Sequence, residues 1–176
     1  MEKVMINHEK HFLYPVWSEL YATAFPVFEQ RTGEQQEYAF SCSQYRLTAY
    51  TDNGQFIGFI AYWTFDTYIY IEHFAVDTVL RGKGYGSRIL NDFVVGNPKT
   101  VLLEIDPVVD EVSAARLKFY RRCGFYENEF PHIHPPYRIG CSGHSLVVLS
   151  GGRKISGEEY DRFAEDLKVQ VMGIPK

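Results

Sequence analysis

The fold is decided by one stretch of the sequence, which reads Phe74-Ala75-Val76-Asp77-Thr78-Val79-Leu80-Arg81-Gly82-Lys83-Gly84-Tyr85-Gly86-Ser87-Arg88-Ile89-Leu90. An apolar strand ends at Val76, three glycines punctuate a basic loop, and apolar residues recur at helical spacing from Ile89. Glycine allows a backbone to approach a ligand closely. The first turn of a helix adds unpaired N–H groups and a positive dipole end. The stretch therefore predicts a cradle for a pyrophosphate group.

Two common nucleotide-binding motifs do not fit this loop. No Gly-Lys-[Ser/Thr] closes it, as a Walker motif requires, and Ser87 stands where the dinucleotide fingerprint needs its last glycine. The strands before the loop also indicate an antiparallel meander rather than a βαβ unit. A glycine-rich connection that binds nothing remains the alternative at this point.

The rest of the chain predicts one mixed α/β domain, residues 1–176, around one sheet. Residues 27–44 are too polar to assign, and residues 131–143 are predicted to be a loop. The core that carries the sequence motifs is about 45–130, and a C-terminal strand and helix follow within 144–172. The predicted strands are 45–50, 56–65, 68–76, 101–105, 125–130 and 144–149, and the predicted helices begin near Leu13, Ile89, Val112 and Ser156.

Composition excludes several classes of protein. The formal net charge of −4 gives no basic excess for nucleic acid. The apolar stretch 56–65 is far shorter than the ~20 residues of a membrane span, and the N-terminus lacks the apolar core of a signal peptide, so we expect a cytoplasmic protein. The three cysteines form no CxxC pair, and the His132-x-His134 pair lacks a third ligand at a recognisable spacing. We therefore expect no disulfide and no metal.

Two blocks of the sequence resemble the GNAT (GCN5-related N-acetyltransferase) superfamily. Its signature [RQ]-x-x-G-x-[GA] is matched by residues 81–86, and its second motif, approximately A-x(3,4)-Y-x-x-x-G-F, is matched by residues 115–125. The order of the two blocks, with one strand between them, also matches. The sequence departs from the family at Ser113, where members often have Asn.

The resemblance implies a twisted mixed sheet with helices on both faces. Acyl-CoA would lie where two parallel strands splay apart, here 68–76 and 101–105. The backbone near Phe74 would pair with the pantetheine arm, and the glycine loop would hold the pyrophosphate. The implied cofactor-binding residues are Phe74, Ala75, Val76, Arg81, Gly82, Lys83, Gly84, Tyr85, Gly86, Ser87, Ser113 and Tyr120.

The same resemblance suggests catalytic residues. Tyr120 is similar to the family's general acid, with a simple core aromatic as the alternative. Glu72 is the first choice for the base, on a strand face that we expect it to share with Phe74 and not with His73. Glu104 is the second choice, and ordered water is the third.

The resemblance thus implies an enzyme that transfers an acetyl group from acetyl-CoA to a primary amine of a small molecule, peptide or protein. The rival prediction is an acyl-CoA-binding sensor or interaction module without turnover. Family members often dimerise, so a homodimer is a further expectation. The aromatic and cationic segment 132–138 is either a wall or lid of the substrate site or an ordinary surface loop.

Overall fold

A computed structural model describes all residues, 1–176. The chain forms five helices and nine strands, with short 3₁₀ turns at Val27–Glu29 and Thr78–Leu80 and a π-helical turn at Leu167–Val171. The order is β1 (Glu2–Ile6), α1 (Tyr14–Ala24), α2 (Gly33–Ser41), β2 (Tyr45–Asp52), β3 (Gln55–Thr64), β4 (Tyr68–Val76), α3 (Tyr85–Val95), β5 (Thr100–Ile105), α4 (Glu111–Arg122), β6 (Phe125–Glu127), β7 (Ile133–His134), β8 (His144–Ser145), β9 (Val147–Gly151) and α5 (Gly157–Asp166).

Seven strands form one mixed sheet in the order β1-β2-β3-β4-β5-β9-β6. All neighbours are antiparallel except β4 and β5, which run parallel. The two remaining strands, β7 and β8, pair only with each other. The predicted mixed α/β fold is confirmed.

Helices cover both faces of the sheet, and each face has its own core. On one face, Trp17 of α1, Ala39 of α2 and Phe163 of α5 pack in a cluster of 21 buried residues. On the other face, Ile89 of α3 and Leu117 of α4 belong to a cluster of 15 buried residues. We call these the α1 face and the α3 face. None of the helices combines the length and the apolar composition that crossing a bilayer requires.

Two elements escaped the sequence analysis. Helix α2 lies in the unassigned segment, and the hydroxyl of Thr32 caps it by accepting a hydrogen bond from the Gln35 N–H at 3.2 Å. This T-x-x-Q capping box was a readable signal. Strand β1 had no such signal, because it is an edge strand in which only Ile6 is buried.

The C-terminal part also differs from the prediction. The predicted strand 125–130 ends at Glu127, and the predicted strand 144–149 divides into β8 and β9 at Leu146. Because β8 pairs with β7, the predicted loop 131–143 is the main part of a small hairpin. We call residues 131–145 the strap.

The parallel strands β4 and β5 separate partway along their length. They pair at Tyr68, Ile69 and Tyr70, opposite Thr100, Val101 and Leu102, and no further. Strand β4 continues six residues past the last pair and β5 continues three. The predicted splay between these two strands is therefore present.

Candidate active site

The glycine loop leads from the open end of β4 into the N-terminus of α3. Gly82 and Gly84 have φ angles of +79° and +80°, in the left-handed region that favours glycine. Gly84 is the N-cap residue of α3 and offers no side-chain cap. The first N–H groups of α3 therefore lack a capping side chain, as a helix N-terminus that binds an anion requires.

Side chains around the loop hold its end in place. Tyr85 donates a hydrogen bond to Asp52 at 2.9 Å, and Arg88 lies over the Tyr85 ring at 5.5 Å. A Cβ at Gly86 would stand 3.5 Å from Phe119 and 3.7 Å from Val76. The start of α3, the end of β4 and helix α4 thus converge at one point. Arg81 and Lys83 are exposed beside it.

The open edge of β4 presents unpaired backbone groups toward the splay. The Asp77 N–H bonds to the Ile57 carbonyl of β3 at 2.8 Å. Because the direction of backbone groups alternates along a strand, Ala75 and His73 also face β3. The N–H and C=O of Phe74 and Val76 then face the side from which β5 has departed.

The side chain of Ser113 forms hydrogen bonds within its own segment, at the start of α4. Its hydroxyl accepts from the Val109 N–H at 2.9 Å and donates to the Asp110 carboxylate at 2.7 Å. Ser113 and Asp110 together form the capping box of α4. Because the cap engages this hydroxyl, little capacity remains for the pantetheine contact that the resemblance implied.

Tyr120 lies on α4, partly buried in the α3-face core against Phe119 and Phe125. Its hydroxyl has no hydrogen-bond partner within the chain, yet it is not among the polar atoms sealed from solvent. Burial is the main cause that raises the pKa of Tyr120 to about 12. The phenol is therefore protonated at neutral pH and free to donate.

Glu72 sits at a bulge that changes the strand face. The register runs from Ala61 opposite His73 to Tyr62 opposite Ile71, which leaves Glu72 as an extra residue in β4. As a result Glu72 and His73 both reach the α1 face, whereas Phe74 packs on the α3 face. The expected sharing of faces was wrong, because simple alternation does not include a bulge.

The Glu72 carboxylate is buried and fully engaged. It lies 2.8 Å from the Arg31 guanidinium and accepts hydrogen bonds from Trp63 at 2.7 Å and Tyr137 at 2.9 Å. Burial alone would raise its pKa, but the charges of Arg31 and His73 and the hydrogen bonds from Trp63 and Arg31 hold the pKa of Glu72 at about 2. Such a carboxylate is a weak base, and its contacts are those of an anchor.

Glu104 occupies the equivalent place on β5, two residues beyond the last β4–β5 pair. Its two oxygens accept from the Tyr70 hydroxyl and from the His132 imidazole, and His134 Nε2 lies 3.9 Å away. Burial would raise the pKa of Glu104, but His134, His132 and Tyr70 together lower it. Glu104 is thus an anion at neutral pH.

The strap covers the splay on the α1 face. Tyr137 reaches Glu72, and its ring stacks on His134 at 5.0 Å. Arg138 donates to the Val27 carbonyl at 2.9 Å, and His144 stacks on Phe28 at 4.6 Å. The segment 132–138 therefore forms a wall of this region rather than an isolated surface loop.

Sequence reasoning missed Arg31 and Tyr137 as partners of Glu72. Both are distant in sequence from β4, and both lie in segments without a periodic pattern. The aromatic and cationic composition of 132–138 was the one available signal. No group of three or more His, Cys, Asp or Glu side chains is arranged to hold a metal ion.

The fold and part of the sequence are similar to those of known acetyltransferases. Residues 43–127 match the family described as "Acetyltransferase (GNAT) domain". A solved structure from Bacteroides thetaiotaomicron, assigned to the GNAT family of acetyltransferases, has 28% sequence identity and a TM-score of 0.92, and the match covers 99% of this chain and 100% of that one. Residues 43–127 of this chain are therefore similar to a GNAT acetyltransferase domain, and the fold of the whole chain is similar to that of a GNAT acetyltransferase.

More distant structures share the fold. A Bacillus subtilis acetyltransferase solved in complex with CoA is 16% identical, with a TM-score of 0.61 over 87% of this chain and 99% of that one. A GNAT acetyltransferase from Elizabethkingia anophelis with acetyl-CoA bound is 14% identical, with a TM-score of 0.58 over 85% of this chain and 96% of that one. No curated protein matches the sequence.

Proposed function

We propose that this protein transfers an acetyl group from acetyl-CoA to the nitrogen of a primary amine. The observation that carries the proposal is the separation of β4 from β5 beyond Tyr70 and Leu102, beside the uncapped N-terminus of α3. One opening thereby offers unpaired strand edges for an extended amide chain and helix N–H groups for a pyrophosphate. CoA contains both kinds of group, because its pantetheine arm carries amides and a pyrophosphate joins that arm to the nucleotide.

Binding of acetyl-CoA is supported from both ends of that opening. The backbone of Phe74 and Val76 is free to pair with the pantetheine amides like an added strand. The turn from Gly82 to Ser87 fits the pyrophosphate, with Arg81 and Lys83 beside it for charge. The B. subtilis and E. anophelis structures, which share the fold, hold CoA and acetyl-CoA, and this supports acetyl-CoA as the ligand.

The proposed reaction forms one C–N bond and breaks one C–S bond. The neutral amine attacks the thioester carbonyl, and the tetrahedral intermediate expels the CoA thiolate. Tyr120 donates its phenolic proton to the departing sulfur and recovers a proton from solvent. The nitrogen of an initially protonated amine loses two protons in total, of which one balances the sulfur and the other leaves to solvent.

The charge around the strap supports a cationic acceptor. Glu29 lies in the 3₁₀ turn after α1, and Glu104 lies on β5, and neither forms an ion pair with an arginine or a lysine. Burial raises the pKa of Glu29, and the nearby charge of Asp106 raises it further. An ammonium group would stabilise these carboxylates. The acceptor is therefore proposed to approach from the α1 face, opposite to the pyrophosphate.

A screen of primary amines with acetyl-CoA tests this function by measuring released thiol and the mass of the acetylated product. The panel should contain polyamines, amino sugars, amino acids and peptides with a free N-terminus or lysine. We expect at least one amine to be acetylated and matched tertiary amines to remain unchanged. Tight acetyl-CoA binding without acetylation of any amine would refute the proposed function and favour the sensor.

A further inference from the structure

We infer that His134 is the group that takes the proton from the acceptor amine, which it would bind together with Glu104. This inference rests on the proposed function and assigns the base that the reaction requires. It starts from a buried polar atom that has no partner. His134 Nε2 is sealed from solvent and forms no hydrogen bond.

The hydrogen-bond partner of the other ring nitrogen fixes the tautomer of His134. Nδ1 lies 2.6 Å from the Pro135 carbonyl oxygen. A carbonyl oxygen only accepts, so Nδ1 carries a proton. In the neutral ring, Nε2 then has a free lone pair.

The neighbouring histidine of the strap is arranged differently. His132 contacts Glu104 through Nε2 and lies 2.9 Å from the Tyr160 hydroxyl through Nδ1, so both nitrogens have partners. Of these two histidines, only His134 has a ring nitrogen without a hydrogen-bond partner. A buried polar atom without a partner in a native structure calls for an explanation.

The atom that Nε2 faces points to the ligand. It lies 3.9 Å from Glu104 Oε1, which is itself a hydrogen-bond acceptor at neutral pH. While the ring is neutral, Nε2 and Oε1 are two acceptors that face each other with no donor between them, and Oε1 accepts from the Tyr70 hydroxyl alone. A primary ammonium, which has three N–H donors, can satisfy both groups, whereas a tertiary amine cannot.

The position of this pair suits the reaction. Glu104 lies two residues past Leu102, on the part of β5 that has left β4. An amine held there stands on the α1 face of the splay, and the thioester would reach the same splay from the glycine loop. After His134 takes the proton, the neutral amine attacks the carbonyl carbon and His134 later releases the proton to solvent.

Access requires movement of the strap, because the site is closed in the structure. The two strands that hold the strap hairpin, β7 and β8, have two residues each. So short a hairpin is marginally stable by itself. The buried ring of Tyr137 stacks on His134 and would have to move with the strap.

Several titratable groups surround His134 and would influence its pH response. They come from the first 3₁₀ turn, from β4, from β5 and from the strap itself: Glu29, His73, Glu104, His132 and Tyr137. A test must therefore separate loss of a base from a general change in charge. Substitution by a neutral residue at a second histidine provides that separation.

The test compares His134→Gln with His144→Gln, since the two histidines pair across β7 and β8. With an amine accepted by the parent, His134→Gln should lower kcat about a hundredfold at pH 7. The loss should shrink as pH rises toward ~10, because solution then supplies neutral amine. His144→Gln should behave like the parent. An equal loss in both variants, or a loss in His134→Gln that is the same at all pH values, would overturn the inference.

A second measurement does not depend on activity and so distinguishes this inference from the proposed function. Nitrogen NMR of the labelled parent, assigned with His134→Phe, should show a protonated Nδ1 and an unprotonated Nε2 for His134. Added propylamine should shift that Nε2 signal. A protonated Nε2 in the neutral ring would overturn the inference even if the enzyme acetylates amines. A failed amine screen with the expected NMR result would instead count against the proposed function.

Discussion

Tyr120 carries a hydroxyl that no group of this chain engages, on a ring that the core packs from two sides. The free hydroxyl and the packed ring allow the two predicted roles of Tyr120, general acid and core aromatic, to be tested separately. A purely structural tyrosine needs its ring, whereas a general acid needs its proton. Burial raises the pKa of Tyr120 to about 12, so the proton is present throughout the neutral range.

Tyr120→Phe is therefore expected to keep the fold and acetyl-CoA affinity but to lower turnover by ~10²–10⁴-fold. The measurement is kcat under conditions where chemistry limits the rate, with acetyl-CoA binding followed separately. Tyr126→Phe is the matched control, because that ring lies on the exposed side of β6. Unchanged turnover in Tyr120→Phe would leave Tyr120 as a core aromatic.

The comparison between Glu72 and Glu104 shows what residue type alone leaves open. Both are glutamates on neighbouring strands, at equivalent positions past the last strand pair. Arg31 binds one of them, and histidines of the strap surround the other. Only the partners, which come from remote segments, make Glu72 an anchor and place Glu104 beside a free imidazole nitrogen.

At the scale of elements, the glycine loop and α3 act as one unit. Gly84 has its positive φ at the N-cap, and no atom lies within 4 Å of the place a Cβ would take. A side chain there would meet no protein atom but would occupy the space in which we propose that the pyrophosphate binds. Its backbone strain would cost ~1–2 kcal/mol.

Gly84→Val is expected to abolish most of the stabilisation by acetyl-CoA, which amounts to ~2.7 kcal/mol at 100 times the dissociation constant. Denaturation with and without acetyl-CoA measures this difference. Gly152→Val is the control, since Gly152 has a φ of +81°, equally open surroundings and a place after β9, away from the loop. If Gly84→Val retains the full stabilisation, the pyrophosphate is bound elsewhere.

Across the whole molecule, one buried ion pair joins three distant segments. Arg31 follows α1, Glu72 lies on β4, and Tyr137 of the strap donates to the same carboxylate. The side chains of Arg31 and Glu72 are 2% and 0% exposed. Removal of one buried partner leaves the other charge uncompensated, which costs ~3–5 kcal/mol.

This pair predicts a defined loss of stability in acid. The pKa of Glu72 is about 2 in the folded protein, below the ordinary 4.5, chiefly because Arg31 outweighs the effect of burial. The stabilisation is therefore complete above about pH 5 and is lost as the pH falls toward about 2. Glu72→Gln should lower the free energy of unfolding at pH 7 and flatten its decline in acid.

Glu159 supplies the control for this experiment. Hydrogen bonds from Arg153 lower its pKa to about 2 as well, but the pair is exposed at the start of α5. Solvent screening limits such pairs to ~0–1 kcal/mol, so Glu159→Gln should cost little. Similar losses in the two variants, measured by denaturant unfolding, would show that the Arg31–Glu72 pair has no special structural role.

The sequence alone determined the features that depend on local chemistry. The three glycines, the apolar strand before them and the helical stripe after them specify the loop and its helix through backbone freedom and periodicity. The motif around Tyr120 and the T-x-x-Q cap of α2 are equally local. Short apolar runs also predicted the two strands between which the splay is found.

Tertiary structure decided what depends on residues far apart in the chain. The bulge at Glu72 is set by pairing with β3. Because of it, His73 and Phe74 lie on the faces opposite to those that simple alternation predicted. The edge strand β1 exists only because β2 offers it hydrogen-bond partners. The lowered pKa values of Glu72 and Glu104 are caused by Arg31 and by histidines of the strap, respectively. The charge state of a buried carboxylate depends on its neighbours in space and not on those in sequence.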